Sequence, residues 1–399
     1  MWRIFLTVSL LCWSADGQDV TCRDHNNGEV DWYIIYKAPK LNNIRTTGLE
    51  YIYIDSNGKT SKDPNKHINA DDGVLANTLR PIFTTSMPAD FGFISYSDQP
   101  PGKNAPQKSG HSKGVVMMNK DTGVWLLHST PQFPFKRDNN FWPSTGTANA
   151  QTFICVTFKY NEFKKIGQHL LNISAFPFDD HIPADFHEEL INVTKNNTTP
   201  GARIHNLTSA RGTLFRSIAK KLYKEEEKPQ QGIYDGDLYL TIAETYNTDV
   251  RVQTWGRQCG RKGSYCVQNQ HQVINIASVK ADLGNGEVKW TAGNDHSKWC
   301  VAKDNNNHLI CIADVNRALS QYTRPGGGLC FVHQQVSELF KGLIDQIEDC
   351  SSKLPHVSDP DCDPDAGSLS GGINKPLPMS PVLFGPLCAL IHHFQMVIN

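Results

Sequence analysis

Gly110-His111-Ser112-Lys113-Gly114 and Asp295-His296-Ser297-Lys298-Trp299 carry one tripeptide, His-Ser-Lys, at two places in the chain. With 15 His in 399 residues, chance supplies on the order of a few hundredths of one such tripeptide. Two copies therefore point to an internal repeat. In extended chain, residues i and i+2 face the same way, so each copy aims an imidazole and an ammonium at one spot. Two His and two Lys around a shared centre would receive a phosphodiester: imidazoles to attack and protonate, ammoniums to hold anionic oxygens.

The repeat also sets the organisation. His111 lies 93 residues beyond Gln18, and the same step back from His296 lands on Arg203, in a polar stretch suited to a linker. The expected fold class is α/β in the broad sense (α+β), with two pseudo-symmetric lobes, residues 18–200 and 201–358. Each lobe would be a mixed β-sheet flanked by helices, and the active site would lie at their interface. Strands are predicted at Val30–Tyr36, Leu49–Ile54, Phe91–Tyr96, Val115–Asn119, Val124–His128 and Thr152–Tyr160, then at Leu238–Ile242, Val250–Trp255, Gln272–Val279, Glu287–Thr291 and Leu309–Ile312. Lys120-Asp121-Thr122-Gly123 reads as a hairpin turn. Residues 161–230 lean towards helix, Glu225–Glu227 reads as a solvated helix end, and Val336–Glu348 has the period of an amphipathic helix.

Composition places the protein among ordinary globular chains, with 39% hydrophobic and 20% charged residues. A formal net charge of −1 at pH 7 gives no strong basic field, but protonation of exposed His near pH 5 would turn the surface cationic. Residues 1–17 read as a secretory signal: Arg3, the apolar run Ile4–Trp13, then small residues at Ala15 and Gly17. The run is too short to span a membrane. Its removal takes Cys12 and leaves ten of the 11 cysteines, an even number suited to an oxidising compartment. Asn172, Asn192, Asn196, Asn197 and Asn206 head five clustered glycosylation sequons, so a lysosomal or secreted glycoprotein is expected. The tail, 359–399, opens on a Pro- and Asp-rich loop. Its apolar end admits either a cleaved lipid-anchor signal or a docked or disordered segment.

Further blocks carry a family resemblance: Val30–Pro39 (VDWYIIYKAP), Tyr96–Pro101 (YSDQPP), Val124–Ser129 (VWLLHS), Val252–Arg257 (VQTWGR), Asp295–Val301 (DHSKWCV) and Gly326–Cys330 (GGGLC). With Gly110–Val115 they resemble deoxyribonuclease II, in that family's order, across most of the chain. The resemblance implies the phospholipase D-like fold and an acid endonuclease that cuts DNA without a metal or other cofactor, leaving 3′-phosphate and 5′-hydroxyl ends. DNA, double-stranded, is the implied substrate. No membrane span is expected; the protein would be a monomer with internal pseudo-twofold symmetry, a dimer remaining open.

The same resemblance implies the site. His111, Lys113, His296 and Lys298 form its centre, and His128, seventeen positions after His111, stands where the wider superfamily has Asn. Asn316, in Ala313-Asp314-Val315-Asn316, is the second half's counterpart. Asp295 and Ser129 support the centre, while the superfamily's Asp after His-x-Lys has no counterpart in either half. Disulfides Cys22–Cys155, Cys266–Cys350 and Cys311–Cys330 are implied, leaving Cys259, Cys300, Cys362 and Cys388 unassigned and Cys300 a candidate buried thiol.

Other motifs carry less. His187-Glu188-Glu189 lacks the second His of a zinc helix, no Cys pair has CxxC spacing, and Asp235-Gly-Asp237 reads as a turn. Arg324-Pro-Gly-Gly-Gly328 fits a Gly-rich turn or a backbone phosphate cradle. Trp255 and Trp299 are candidates for stacking on bases, with core packing favoured for Trp255. Two alternatives stay in view: a catalytically weak secreted DNA-binding or interaction protein of the same fold, and a phospholipase D-type phosphodiesterase.

Overall fold

A computed structural model describes residues 19–223 and 236–350. The expected signal, Glu225–Glu227, Asp235, the tail, Cys362 and Cys388 lie outside the described residues. The architecture is α+β: two large sheets with few helices.

The first sheet contains β1 (Trp32–Lys37), β2 (Tyr51–Asp55), β3 (Thr60–Ser61), β4 (Gly92–Ser97), β5 (Lys113–Met118), β6 (Thr122–His128), β7 (Gln151–Lys159) and β8 (Pro177–His181). Its order is β8-β4-β5-β6-β7-β1-β2-β3. Every pairing is antiparallel, so this sheet is not the mixed one expected. Its neighbours join through hairpins and antiparallel returns, which need no crossover helix. Asn119 Oδ1 accepts from the Asp121 and Thr122 amides at 2.9 and 2.8 Å, closing the β5–β6 turn.

The second sheet contains β9 (Arg203–Thr208), β10 (Leu214–Ala219), β11 (Val250–Gln253), β12 (Val273–Asp282), β13 (Glu287–Thr291), β14 (Trp299–Ala302), β15 (Leu309–Ala313), β16 (Gly327–Val332) and β17 (Ile344–Ile347). Its order is β9-β10-β16-β15-β14-β11-β12-β13, with β17 also on β12. Only β11 and β12 run parallel. Each His-Ser-Lys leads into an inner strand, β5 or β14.

Strand alternation explains the layering. Trp32, Ile34 and Tyr36 of β1 point into one core with Trp299, Val301, Ile310 and Ile312 of the second sheet. Tyr33 and Ile35 point the other way, under helix α1 (Val74–Leu79). On the second sheet's far face Val250, Val252, Cys300 and Cys311 pack beneath α4 (Leu238–Tyr246). Helices α2 (Phe163–Asn172), α3 (Glu188–Thr194) and α5 (Gln334–Gly342) contribute to the shared core. Sheets covered on both faces read as near-continuous apolar runs, as β1 and β5 do.

Three element readings change. Leu238–Ile242 is the start of α4, not a strand: Asp237 caps it, accepting from the Tyr239 amide at 2.9 Å, and Leu238, Ile242 and Ala243 recur at helical spacing. The helix expected over 336–348 stops at Gly342, and Ile344–Ile347 becomes an edge strand on β12. Within 161–230, β8 and the β9–β10 hairpin replace helix, because Arg203–Thr208 and Leu214–Ala219 pair residue for residue.

Disulfides join Cys22 to Cys155, Cys266 to Cys350 and Cys311 to Cys330. Cys259 is also disulfide-bonded. Cys300 is a buried free thiol, and burial pushes its pKa well up, so it is inert at acid pH. No helix among the described residues is long and apolar enough to cross a membrane.

Candidate active site

Each His-Ser-Lys is clasped by the other half of the chain. The His111 amide donates to the Pro325 carbonyl at 2.9 Å, and His111 Nδ1 bonds Gln321 Oε1. A Cβ on Gly110 would land on the Ile173 carbonyl oxygen, so only glycine lets the loop pass between α2's end and residue 325. Conversely, the His296 amide donates to the Ala150 carbonyl at 2.9 Å, and Ala150 bridges Asp295. Asp295 Oδ2 accepts from Tyr36 of β1 and from Trp290 Nε1 at 2.8 Å, while its Oδ1 accepts from the Ser297 amide at 2.9 Å. Asp295 thus fixes the turn that presents His296.

The centre is buried: His111, His128 and His296 are 2%, 1% and 8% exposed. Burial pushes the His296 pKa well down, and the charges of Lys298, Lys113, His111 and Lys37 push it further. His111 is lowered by burial too, with Asp98 opposing and Lys113, Lys298 and Arg324 adding to the fall. Each imidazole therefore feels both lysines, one from each motif. Lys298 drops to about 7 through burial and the Lys113 charge; its Nζ donates to the His296 carbonyl at 2.7 Å.

Lys113 Nζ lies 2.5 Å from Asp98 Oδ1, and Arg324 Nη2 lies 3.2 Å from Asp98 Oδ2. Burial raises the Asp98 pKa, but Lys113, His111 and Arg324 outweigh it and hold the carboxyl well below its usual range. Asp314, by contrast, is raised well above its usual value by burial. Its Oδ2 accepts from the Gly327 amide at 3.3 Å, while Oδ1 is buried without a partner.

His128 stacks on Phe153 and stands edge-on to Phe133. Its Nδ1 accepts from the Thr130 amide at 3.2 Å, so the ring proton is on Nε2, which is buried without a partner. Burial and then the Lys113 charge push this pKa well down. Ser129 Oγ donates to Gln151 Oε1 at 2.6 Å and accepts from the Thr152 amide at 3.0 Å, stitching β6 to β7 beside His128. Asn316 Oδ1 accepts from the Trp255 amide at 3.1 Å and its Nδ2 donates to Gln258 Oε1 at 3.0 Å. The Trp255 ring lies against His296.

Asp98, Gln321, Arg324 and Asp314 are the neighbours that motif reading passed over. Asp98 lies in the Tyr96–Pro101 block and Arg324 heads the Gly-rich run, but Gln321 has no local signal. That run is not a simple turn, since Gly327 and Gly328 belong to β16. Trp299 is fully buried against Tyr36 and Phe340 and cannot stack on a base. Asn172 is 5% exposed, with Nδ2 donating to the Thr199 carbonyl at 3.0 Å. A glycan there would require the end of α2 to open; Asn196, Asn197 and Asn206 are exposed and Asn192 partly so. Among the described residues, no group of three or more His, Cys, Asp and Glu gathers as a metal would need.

The family model for Deoxyribonuclease II matches residues 21–350. The human protein Deoxyribonuclease-2-beta is 32% identical over 349 residues, covering 83% of this chain and 92% of the relative. Pig Deoxyribonuclease-2-alpha is 31% identical over 363 residues, covering 87% and 95%. Plancitoxin-1 of Acanthaster planci is 29% identical over 360 residues, covering 87% and 97%.

Proposed function

Because the chain belongs to the deoxyribonuclease II family, we propose that it is an acid endodeoxyribonuclease cutting double-stranded DNA through a phosphohistidine, without metal or cofactor. The observation carrying this reading is the reciprocal clasp, with residues 321–325 on the first His-Ser-Lys and Ala150 and Tyr36 on the second. The two halves, 18–200 and 201–358, are assigned as phospholipase D-like lobes, because the strands of one sheet fall within 32–181 and those of the other within 203–347. A lysosomal or secreted setting accords with the disulfides.

The roles follow from hydrogen bonding. Gln321 Oε1 can only accept, so His111 Nδ1 carries the proton and Nε2 presents its lone pair. His111 is therefore assigned the in-line attack, forming an N–P bond as the P–O5′ bond breaks. His296 gives a proton to the leaving 5′ oxygen. In the second step it takes a proton from water, which attacks phosphorus and breaks the N–P bond, leaving 3′-phosphate and 5′-hydroxyl ends. Lys113 and Lys298 hold the non-bridging oxygens, and the His128 Nε2–H donates to one of them, as an Asn amide would. His296 needs a proton that burial opposes; a phosphodiester anion bound beside it supplies the opposing charge and lifts its pKa.

The test is plasmid nicking at pH 5 in EDTA. The wild type should nick, His296→Ala should not, and product 5′ ends should accept a kinase label without phosphatase treatment. Nicking abolished by EDTA, or unchanged in the variant, would refute the mechanism.

A further inference from the structure

We propose that the cleft beside His111 seats a second phosphate of the same nucleic-acid strand, gripped by Arg324 with Lys108 at its rim. The enzyme would then favour polynucleotides over isolated phosphodiesters. This rests on the nuclease reading and names what else of the substrate that site holds.

The cleft has a volume of about 1170 Å³ and is lined by Asp98, Gln107, Lys108, Gln258, Gln321 and Arg324, among others. That exceeds what one phosphodiester needs, and it opens directly on groups that hold His111. Among the described residues, Asp98 is the only carboxylate in its lining. Both Asp98 oxygens are engaged, Oδ1 by Lys113 at 2.5 Å and Oδ2 by Arg324 at 3.2 Å. An incoming anion therefore meets cations rather than a free acid.

Arg324 is built into place. Its Nε and Nη2 donate to the Ser109 carbonyl at 3.2 and 3.0 Å, and its side chain is 20% exposed. Nη1 makes no hydrogen bond among the described residues and is left for a ligand. A guanidinium held in place this way can give a phosphate one charge-assisted hydrogen bond through Nη1. Lys113 and Arg324 sit on the two oxygens of one carboxylate, so anions at the two cations are near neighbours. A nucleic-acid strand, with one phosphate per nucleotide, supplies such a pair. Lys108 is exposed and adds a charge where the strand would leave.

The experiment compares d(TpT), d(pTpT) and d(TpTp), each with one cleavable bond and with no flanking phosphate, a 5′ one or a 3′ one. At pH 5 a flanking phosphate on one side should raise wild-type kcat/KM about tenfold, the scale of one charge-assisted bond. Arg324→Gln should erase most of that gain and Lys108→Glu should reduce it. An equal gain in wild type and Arg324→Gln overturns the proposal. Should Arg324→Gln fail to fold, Lys108→Glu, at an exposed position, decides by the same ratio. Plasmid nicking is run alongside: if the wild type nicks no plasmid, the nuclease reading fails separately, and if it nicks plasmid but cleaves none of the three, binding takes the place of turnover. Calorimetric binding of the same oligonucleotides then decides, and equal affinities with and without the flanking phosphate overturn the second seat.

Discussion

At the scale of single residues, the buried imidazoles set the response to acid. Burial holds His111, His128 and His296 below their ordinary value of 6.5. The unfolded chain then takes up their protons first, and acidification below about 6.5 favours unfolding. The melting temperature should therefore fall between pH 7 and pH 5. A short oligonucleotide should raise it more at pH 5, because the bound anion stabilises the imidazolium; equal stabilisation at both pH values would contradict this. Lys298, at about 7, gains its ammonium as pH falls, so acid would also arm the proposed phosphate grip. Lys113→Ala should cost roughly 10²–10³ in kcat with a smaller change in KM, since the role proposed for it is on transition-state charge; a pure KM effect would remove that role. His128 offers a neutral Nε2–H, so His128→Asn should keep kcat within about tenfold while His128→Ala loses about 10² or more. Steady-state rates at pH 5 separate the two. The candidate centre was readable because His-Ser-Lys is written twice. Gln321, Asp98 and Arg324 occur once each and reach the site from distant loops, so no spacing rule could find them.

At the scale of elements, legibility followed periodicity where burial was uniform and failed where another interaction decided. The β5–β6 hairpin was readable from two apolar runs about a turn. Leu238–Ile242 was misread because leucine, tyrosine and isoleucine suit a strand buried on both faces as well as a core helix. What decides for helix is Asp237, which lies within a segment otherwise taken for a turn. Its carboxylate accepts from the Tyr239 amide, from Arg317 Nε and from the Tyr322 hydroxyl, each at 2.9 Å. Arg317 and Asp237 are both fully buried. Removing the acid strips α4 of its cap and takes the Asp237 carboxylate from a buried guanidinium, so Asp237→Ala should lower stability by about 3–5 kcal/mol. Urea denaturation checks this, and a loss under about 1 kcal/mol would mean that Arg317's bonds to Asn275 and the Gly263 carbonyl suffice. Tyr322, whose hydroxyl Asp237 holds, lies within residues 321–325, so the variant should also slow catalysis by loosening the clasp on His111.

At the scale of the molecule, the two sheets are joined by what they bury between them. The disulfides at Cys22–Cys155, Cys266–Cys350 and Cys311–Cys330 each stay on one side of the division near residue 200. The inner faces, by contrast, form one continuous cluster running from Trp32 and Trp125 to Trp299 and Phe331. Polar cross-ties reinforce it: Asp31 of the first half accepts from Ser209 at 2.5 Å and from the Arg211 amide at 2.9 Å. A half expressed alone would expose that inner face to water at about 25 cal/mol per Å², and would lose the partner loop that shapes its own His-Ser-Lys. The halves should therefore unfold as one unit. Scanning calorimetry of the whole protein should give a single transition with calorimetric and van't Hoff enthalpies in agreement, and a chain ending near residue 200 should be insoluble or lack a cooperative melt. Two resolved transitions, or a soluble and cooperatively folded half, would show that the two halves are independent domains that merely touch. The active site would then be a docked interface rather than part of a shared core.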